Sequence, residues 1–177
     1  MSKYKPFSTQ RLIIRPVTIK DAPFILELMN TPKWIKYIGE RHVKTVEKAE
    51  AYIKEKAFPQ LEKHGYTNNV IIRKEDNTKL GTCGLYHREG KEDPDIGFAF
   101  LPNNEGKGYA FEANNKLMHV AKENYGLTEL SAFTLEDNKS SRKLLERLGF
   151  KLLGIGNLPN NDEDLLHYHR VLDFNNK

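Results

Sequence analysis

The sequence holds one cysteine, Cys83, and one tryptophan, Trp34. A lone cysteine excludes an internal disulfide framework and agrees with a reducing compartment. Apolar runs stay well short of the roughly 18 to 20 residues that span a bilayer. Met1–Tyr4 leads into Lys5 and Pro6, not into the apolar core of a signal peptide, so the expected location is the cytoplasm, with no membrane partner. Sustained basic runs are absent too. The net charge is +4, yet lysines and acids alternate between Lys44 and Lys63, which argues against direct nucleic-acid binding. Internal repeats, low-complexity tracts and linkers are missing, so the 177 residues are expected to form one domain, with its core at about residues 9 to 172.

What is present suffices for a core, because a chain of about 150 residues already buries roughly 70% of its unfolded surface. Arg11–Pro16 alternates as a strand, ended as a ladder donor by Pro16. Asp21 as N-cap and Pro23 in the first turn open a helix whose Phe24, Ile25, Leu28 and Met29 share a face, and Asn30-Thr31-Pro32 stops it. A second helix starts at Thr45, turns Ala49, Tyr52, Ile53 and Ala57 inward, and is kinked or broken at Pro59. Lys33–Val43, between them, has no clear period.

Three strands follow, Val70–Arg73, Leu80–His87 and Ile96–Leu101, joined by turns at Asp76-Asn77 and Arg88–Asp95. A helix from Gly108 to about Tyr125 buries Ala113, Leu117, Val120 and Ala121 and ends at Gly126. Then come a strand at Leu130–Leu135, a helix capped by Asn138 and stopped by Gly149, and strands at Phe150–Ile155 and Leu165–Leu172. This order predicts an α/β fold: a mixed, mostly antiparallel sheet with helices on both faces. The strands flanking the long helix should be parallel neighbours, since a crossover joins them.

The stretch Phe100-Leu101-Pro102-Asn103-Asn104-Glu105-Gly106-Lys107-Gly108-Tyr109-Ala110 lies at a strand-to-helix junction. Glycines there allow close backbone approach, and the N–H groups of a helix N-terminus attract an anion. The spacing matches neither a nucleoside-triphosphate loop nor a dinucleotide fingerprint. An ordinary turn with two glycines is the competing reading.

The junction resembles the GNAT acetyltransferases, whose pyrophosphate loop reads Gln/Arg-x-x-Gly-x-Gly/Ala. Gly106 and Gly108 match, while Asn103 stands where Gln or Arg is usual. Asn138-Lys139-Ser140-Ser141 followed by Leu148-Gly149-Phe150, together with Thr9–Pro16, is similar to the branch that acetylates ribosomal-protein N-termini. The resemblance implies acetyl-CoA as donor, direct transfer to a primary amine, and no metal. It implies that Glu105, Gly106, Lys107, Gly108, Tyr109 and Ala110 cradle the pyrophosphate. In this family the parallel strands splay, so pantetheine would add along Phe98–Leu101, and an N–H near Phe100 or Leu101 would face the thioester oxygen. Asn138 would contact the CoA arm or merely cap its helix. Many GNAT enzymes carry a tyrosine acid where this chain has Leu145, so Ser141 is the candidate proton donor to sulfur. Asp95, Glu92, Glu136 and Asp137 are candidate bases that spacing does not separate.

Trp34, Tyr37 and Glu40 are the candidate acceptor contacts, because aperiodic loops on a sheet often carry specificity. His167 and His169 share a strand face, but no third metal ligand stands at a recognisable spacing. Cys83, inside a strand with no activating neighbour, is a poor acyl carrier. Three readings compete with acetylation of a protein N-terminus: a polyamine or aminoglycoside acetyltransferase, a non-catalytic CoA sensor, and a basic ribosome-associated module. A homodimer is compatible with the sequence.

Overall fold

The computed structural model describes residues 4–174. Its strands are β1 (Phe7–Ser8), β2 (Leu12–Pro16), β3 (Asn68–Arg73), β4 (Lys79–Tyr86), β5 (Asp95–Phe100), β6 (Glu129–Thr134), β7 (Lys151–Gly156) and β8 (Leu165–Val171). The α-helices are α1 (Ala22–Met29), α2 (Pro32–Tyr37), α3 (Val46–Tyr52), α4 (Phe58–His64), α5 (Tyr109–Tyr125) and α6 (Lys139–Arg147). All eight strands join one mixed sheet in the order β1-β2-β3-β4-β5-β6-β8-β7.

Strand periodicity divides the core into two layers. Leu12, Ile14, Ile71, Ile96, Leu130 and Ala132 pack with Ala113, Leu117, Met118 and Ala121 of α5 and Leu145 of α6. Val17 and Val70 face the other way, onto Phe24, Ile25 and Leu28 of α1, Ala49 of α3 and Ile53 and Ala57 beyond it. The helices thus cover both faces, as the sequence order implied. Gly126 ends α5 at φ 68°, and Gly149, just beyond α6, has φ 83°; both are left-handed conformations that favour glycine.

Four local features depart from the sequence reading. Thr31, read as a stop, also starts α2, its hydroxyl accepting the Trp34 N–H at 3.3 Å. Pro59 does not break its helix. A π-helical stretch, Ile53–Ala57, precedes it, and the Phe58 N–H reaches back to the Ile53 carbonyl, so the widened turn accommodates the ring. β1 is too short to show a period. Asp21 stands at the N-cap of α1 but makes no side-chain bond to that helix. Its fully buried carboxylate accepts from the Thr18 N–H at 2.8 Å and from Arg15 at 2.7 and 2.9 Å, with Lys79 at 2.8 Å. Burial opposes ionisation there, but these donors outweigh it and hold the carboxyl well below the usual carboxylate range.

Candidate active site

β4 and β5 pair continuously from Tyr86↔Asp95 to Gly81↔Phe100, whereas β5 and β6 meet as parallel strands only at Asp95↔Ser131. There the Ser131 N–H donates to the Pro94 carbonyl at 3.0 Å. Beyond this point the strands part, so a V-shaped gap opens toward their C-terminal ends. The Leu101 N–H donates to the Leu80 carbonyl at 3.0 Å. Because ladder residues turn alternately to one neighbour and the other, the peptide groups of Phe98 and Phe100 face the gap. Leu101 is thereby removed as a source of the thioester-facing N–H, its donor being spent on β4.

The gap leads to the glycine loop. Gly106 and Gly108 have φ of 71° and 80°, and Gly108 immediately precedes α5. A Cβ on Gly106 would meet nothing within 4 Å, so backbone conformation, not crowding inside the protein, calls for glycine there. At Gly108 a Cβ would also lie 3.3 Å from Arg11 Nη2. Glu105, Lys107 and the two glycines are exposed, as an anion cradle needs, and Ala110 follows in the first turn, whose N–H groups lack intrahelical partners. Tyr109 contributes no side chain to the cradle: its ring is buried, with the Arg11 guanidinium 4.4 Å from its centroid.

Arg11 braces the loop from behind. It donates to the Lys107 carbonyl at 3.0 Å and to Glu112 at 2.6 Å, and Thr9 donates to the same carboxylate at 2.5 Å. Burial would raise the Glu112 pKa, but these donors lower it, keeping the brace charged. Nothing in the sequence signalled this contact, since about a hundred residues separate its partners.

On the other arm of the V, Asn138 caps α6, its Oδ1 accepting from the Ser141 N–H and the Ser140 hydroxyl, both at 3.2 Å. The Ser141 side chain is half-buried, and its hydroxyl makes no hydrogen bond among the described residues. Leu145 is buried in the core, which explains an aliphatic residue at that position.

α2 bridges the mouth of the V. Lys33 pairs with Glu105, after β5, at 2.6 Å, and Lys36 pairs with Asp137, after β6, at 3.0 Å. Between them Trp34 packs on the α1–α3 layer, with its Nε1 buried and lacking a hydrogen-bond partner among the described residues. Tyr37 lies under the Lys36 ammonium, 4.6 Å from its ring centroid. Glu40 instead turns to the His42 N–H at 2.7 Å and to Lys44 at 3.1 Å, contacts that lower its pKa and hold it in its own loop.

The vertex gathers residues that sequence spacing could not rank. Asp95 is buried and accepts from Arg88 at 2.6 and 3.0 Å; burial pushes its carboxyl up against the pull of that guanidinium. Ser131 Oγ lies 2.9 Å from His167 Nε2, and the His167 ring stacks on Phe133 at 4.6 Å. Tyr168 reaches Glu146 and Arg142 of α6, so His167, next along β8, points to the opposite face, the α1–α4 side. Burial first, then Lys91 and His169, lowers its pKa and favours neutral imidazole.

Asp93, Glu129 and His169 bring one donor atom each within 4.8 Å of one another, with His169 Nε2 already 2.7 Å from Glu129. His167 does not join them. Cys83 is fully buried, and burial pushes its thiol up, which leaves it unsuited to carry an acyl group.

Residues 11–151 match the family described as Acetyltransferase (GNAT) domain. The chain belongs to this family. The uncharacterized N-acetyltransferase YnaD of Bacillus subtilis is 30% identical over 147 residues, which cover 83% of each chain. The uncharacterized N-acetyltransferase p20 of Bacillus licheniformis is 30% identical over 151 residues, again 83% of each. A solved ribosomal L7/L12 α-N-protein acetyltransferase in complex with coenzyme A has a TM-score of 0.79 and 18% identity over 94% of this chain and 98% of that one. The ribosomal-protein-S5-alanine acetyltransferase of Vibrio fischeri has a TM-score of 0.78 and 20% identity over 96% and 98%. At such identities the structural likeness is one of fold. The protein is thus a GNAT acetyltransferase, with its sheet opened at β5 and β6.

Proposed function

We propose that the protein transfers the acetyl group of acetyl-CoA directly to a primary amine, and that this amine is the α-amine of a peptide or protein. The observation that carries the reading is the open β5 edge leading into the glycine loop. The Phe100 carbonyl accepts from a pantetheine amide on the side of the loop, and the N–H groups from Gly106 to Ala110 hold the pyrophosphate. Acetyl-CoA brings the activated acyl group as a thioester; the chain positions it and manages the protons.

The Phe100 N–H faces the thioester oxygen and stabilises the charge that develops as the amine nitrogen attacks the carbonyl carbon. As the C–N bond forms and the C–S bond breaks, the Ser141 hydroxyl hydrogen-bonds the departing sulfur. Neutral His167, on the α1–α4 side, takes the proton that the amine sheds. This role suits His167 better than Asp95, whose carboxylate is committed to Arg88. An α-amine, with a pKa near about 7.7 to 8.0, is already partly neutral and asks little of such a base; a lysine at about 10.4 asks more. The fold shared with ribosomal-protein N-acetyltransferases supports the same acceptor class. The lone buried Cys83 supports a cytoplasmic setting.

The acceptor is decided by acetylating a peptide with a free N-terminus and the same peptide N-blocked but lysine-bearing, with wild type and Trp34→Ala. The free peptide should be the better substrate, and Trp34→Ala should raise its KM. Acetylation of the blocked peptide alone rejects the α-amine. Modification of a polyamine or aminoglycoside in place of either peptide moves the enzyme to small molecules.

A further inference from the structure

The sheet ends in two unlike edges. β1 is two residues long and too short to template another strand. β7, at the far edge, runs for six residues, and its Leu152, Leu153 and Ile155 are 49%, 62% and 64% exposed. Val171 of neighbouring β8 adds a fourth apolar side chain at 58%. Natural edges are usually blunted by brevity, by proline, by a bulge or by charges within the strand. After Lys151, β7 has only the bulge. Its register slips between Leu152 and Gly154, where Gly154 has φ 148°, so Leu153 is the bulged residue and apolar groups project from both faces.

The charges at the two ends of this edge are opposite. Lys151 begins β7. Asp162, Glu163 and Asp164 form the turn beyond it, held beside its C-terminal end by Asn157 Nδ2 donating to the Glu163 carbonyl at 3.0 Å. All four charged residues are exposed, and none makes an ion pair among the described residues. A parallel pairing of two such edges would set lysine beside lysine and acid beside acid. An antiparallel pairing about a two-fold axis sets each Lys151 beside the partner's acidic turn, twice over, and withdraws the apolar side chains from water.

We propose that β7 is the interface of a two-fold homodimer, formed as an antiparallel β7–β7 pair that joins two sheets into one. The gap between β5 and β6 is separated from this edge by β6 and β8, so the dimer leaves it open. A single strand pair falls toward the low end of stable interfaces, which bury about 1,200 to 2,000 Å² in total, so the dimer dissociates on dilution.

Sedimentation equilibrium of the full chain over a dilution series reads this directly. Wild type should show reversible dimerisation, and Leu153→Glu/Ile155→Glu should weaken it about 30-fold or more with an unchanged circular dichroism spectrum. Lys151→Glu alone, and Asp162→Lys/Glu163→Lys/Asp164→Lys alone, should each self-associate more weakly than wild type. Mixed in equal amounts they should dimerise at least as tightly as wild type, because the mixed pair keeps opposite charges at both ends. A wild type that stays monomeric throughout, an unchanged dimer in Leu153→Glu/Ile155→Glu, or no recovery on mixing overturns the proposal. None of these readouts depends on acetyl transfer, so the proposed chemistry and the proposed interface fail separately.

Discussion

The Leu101 N–H donates to the Leu80 carbonyl at 3.0 Å, and this bond turns the Phe100 N–H into the gap between β5 and β6. Phe100→Pro removes that donor and leaves the ladder to β4 its bonds, a position where proline is tolerated. The expected result is a fall in kcat of about 10² to 10³ with the secondary structure retained. Steady-state kinetics beside circular dichroism checks it, and an unchanged kcat removes Phe100 as the oxyanion donor.

Gly108 places its residue at φ 80°, where a β-branched side chain is strained, and a Cβ would also press on Arg11. Gly108→Val should therefore disturb the loop and its brace together. Calorimetry should show acetyl-CoA affinity falling by at least about tenfold, the equivalent of 1.4 kcal/mol. Unaltered affinity means that the loop does not hold the pyrophosphate.

His167 has a lowered pKa because burial, Lys91 and His169 disfavour its charged form, against the weaker pull of Asp93 and Asp95. A base with such a pKa is ready at neutral pH and is lost as pH falls through a midpoint below the ordinary value of about 6.5. The kcat profile, taken at saturating amine so that the acceptor's own titration does not enter, should carry that acid limb in wild type. His167→Gln should abolish it and lower the rate by about 10². An acid limb unaltered in His167→Gln assigns the proton to another group.

Asp21 has a depressed pKa, so its contribution to stability is complete above the unfolded value of about 3.9 and is lost as pH falls through the folded one. Asp21→Asn leaves Arg15 and Lys79 without their buried partner and should cost roughly 3 kcal/mol at neutral pH. For a chain of this length that is on the order of 6 to 12 °C in Tm. The gap between wild type and variant should narrow below about pH 4, which thermal melts across pH will show.

Periodicity and punctuation made most of the fold legible. Leu12 and Ile14, the α5 stripe from Ala113 to Ala121 and the stops at Gly126 and Gly149 are local signals, and they lie where the sequence puts them. α2 escaped because six residues hold less than two helical turns, too few for a period, and because Thr31-Pro32 serves as both stop and start. The π stretch before Pro59 escaped because proline signals that a turn is disturbed, not how the chain relieves it.

The glycine loop and Asn138 were legible because backbone geometry demands particular residues there. The Arg11–Glu112 brace, the bridge from Lys33 to Glu105 and the Ser131–His167 pair were not, since each joins residues at least 36 apart through ordinary side chains. Asp95 was visible as a candidate base, but its commitment to Arg88 depends on the turn that folds the two together.

The most direct measurement is a mass-resolved transfer assay with purified protein, acetyl-CoA and a peptide with a free N-terminus. The expected result is one acetyl group on the peptide α-nitrogen for each CoA thiol released, with turnover sharply reduced in Phe100→Pro. Tight acetyl-CoA binding without transfer to any amine would contradict it and make the protein a sensor. Transfer that persists undiminished in both Phe100→Pro and Gly108→Val would place the chemistry outside the gap between β5 and β6.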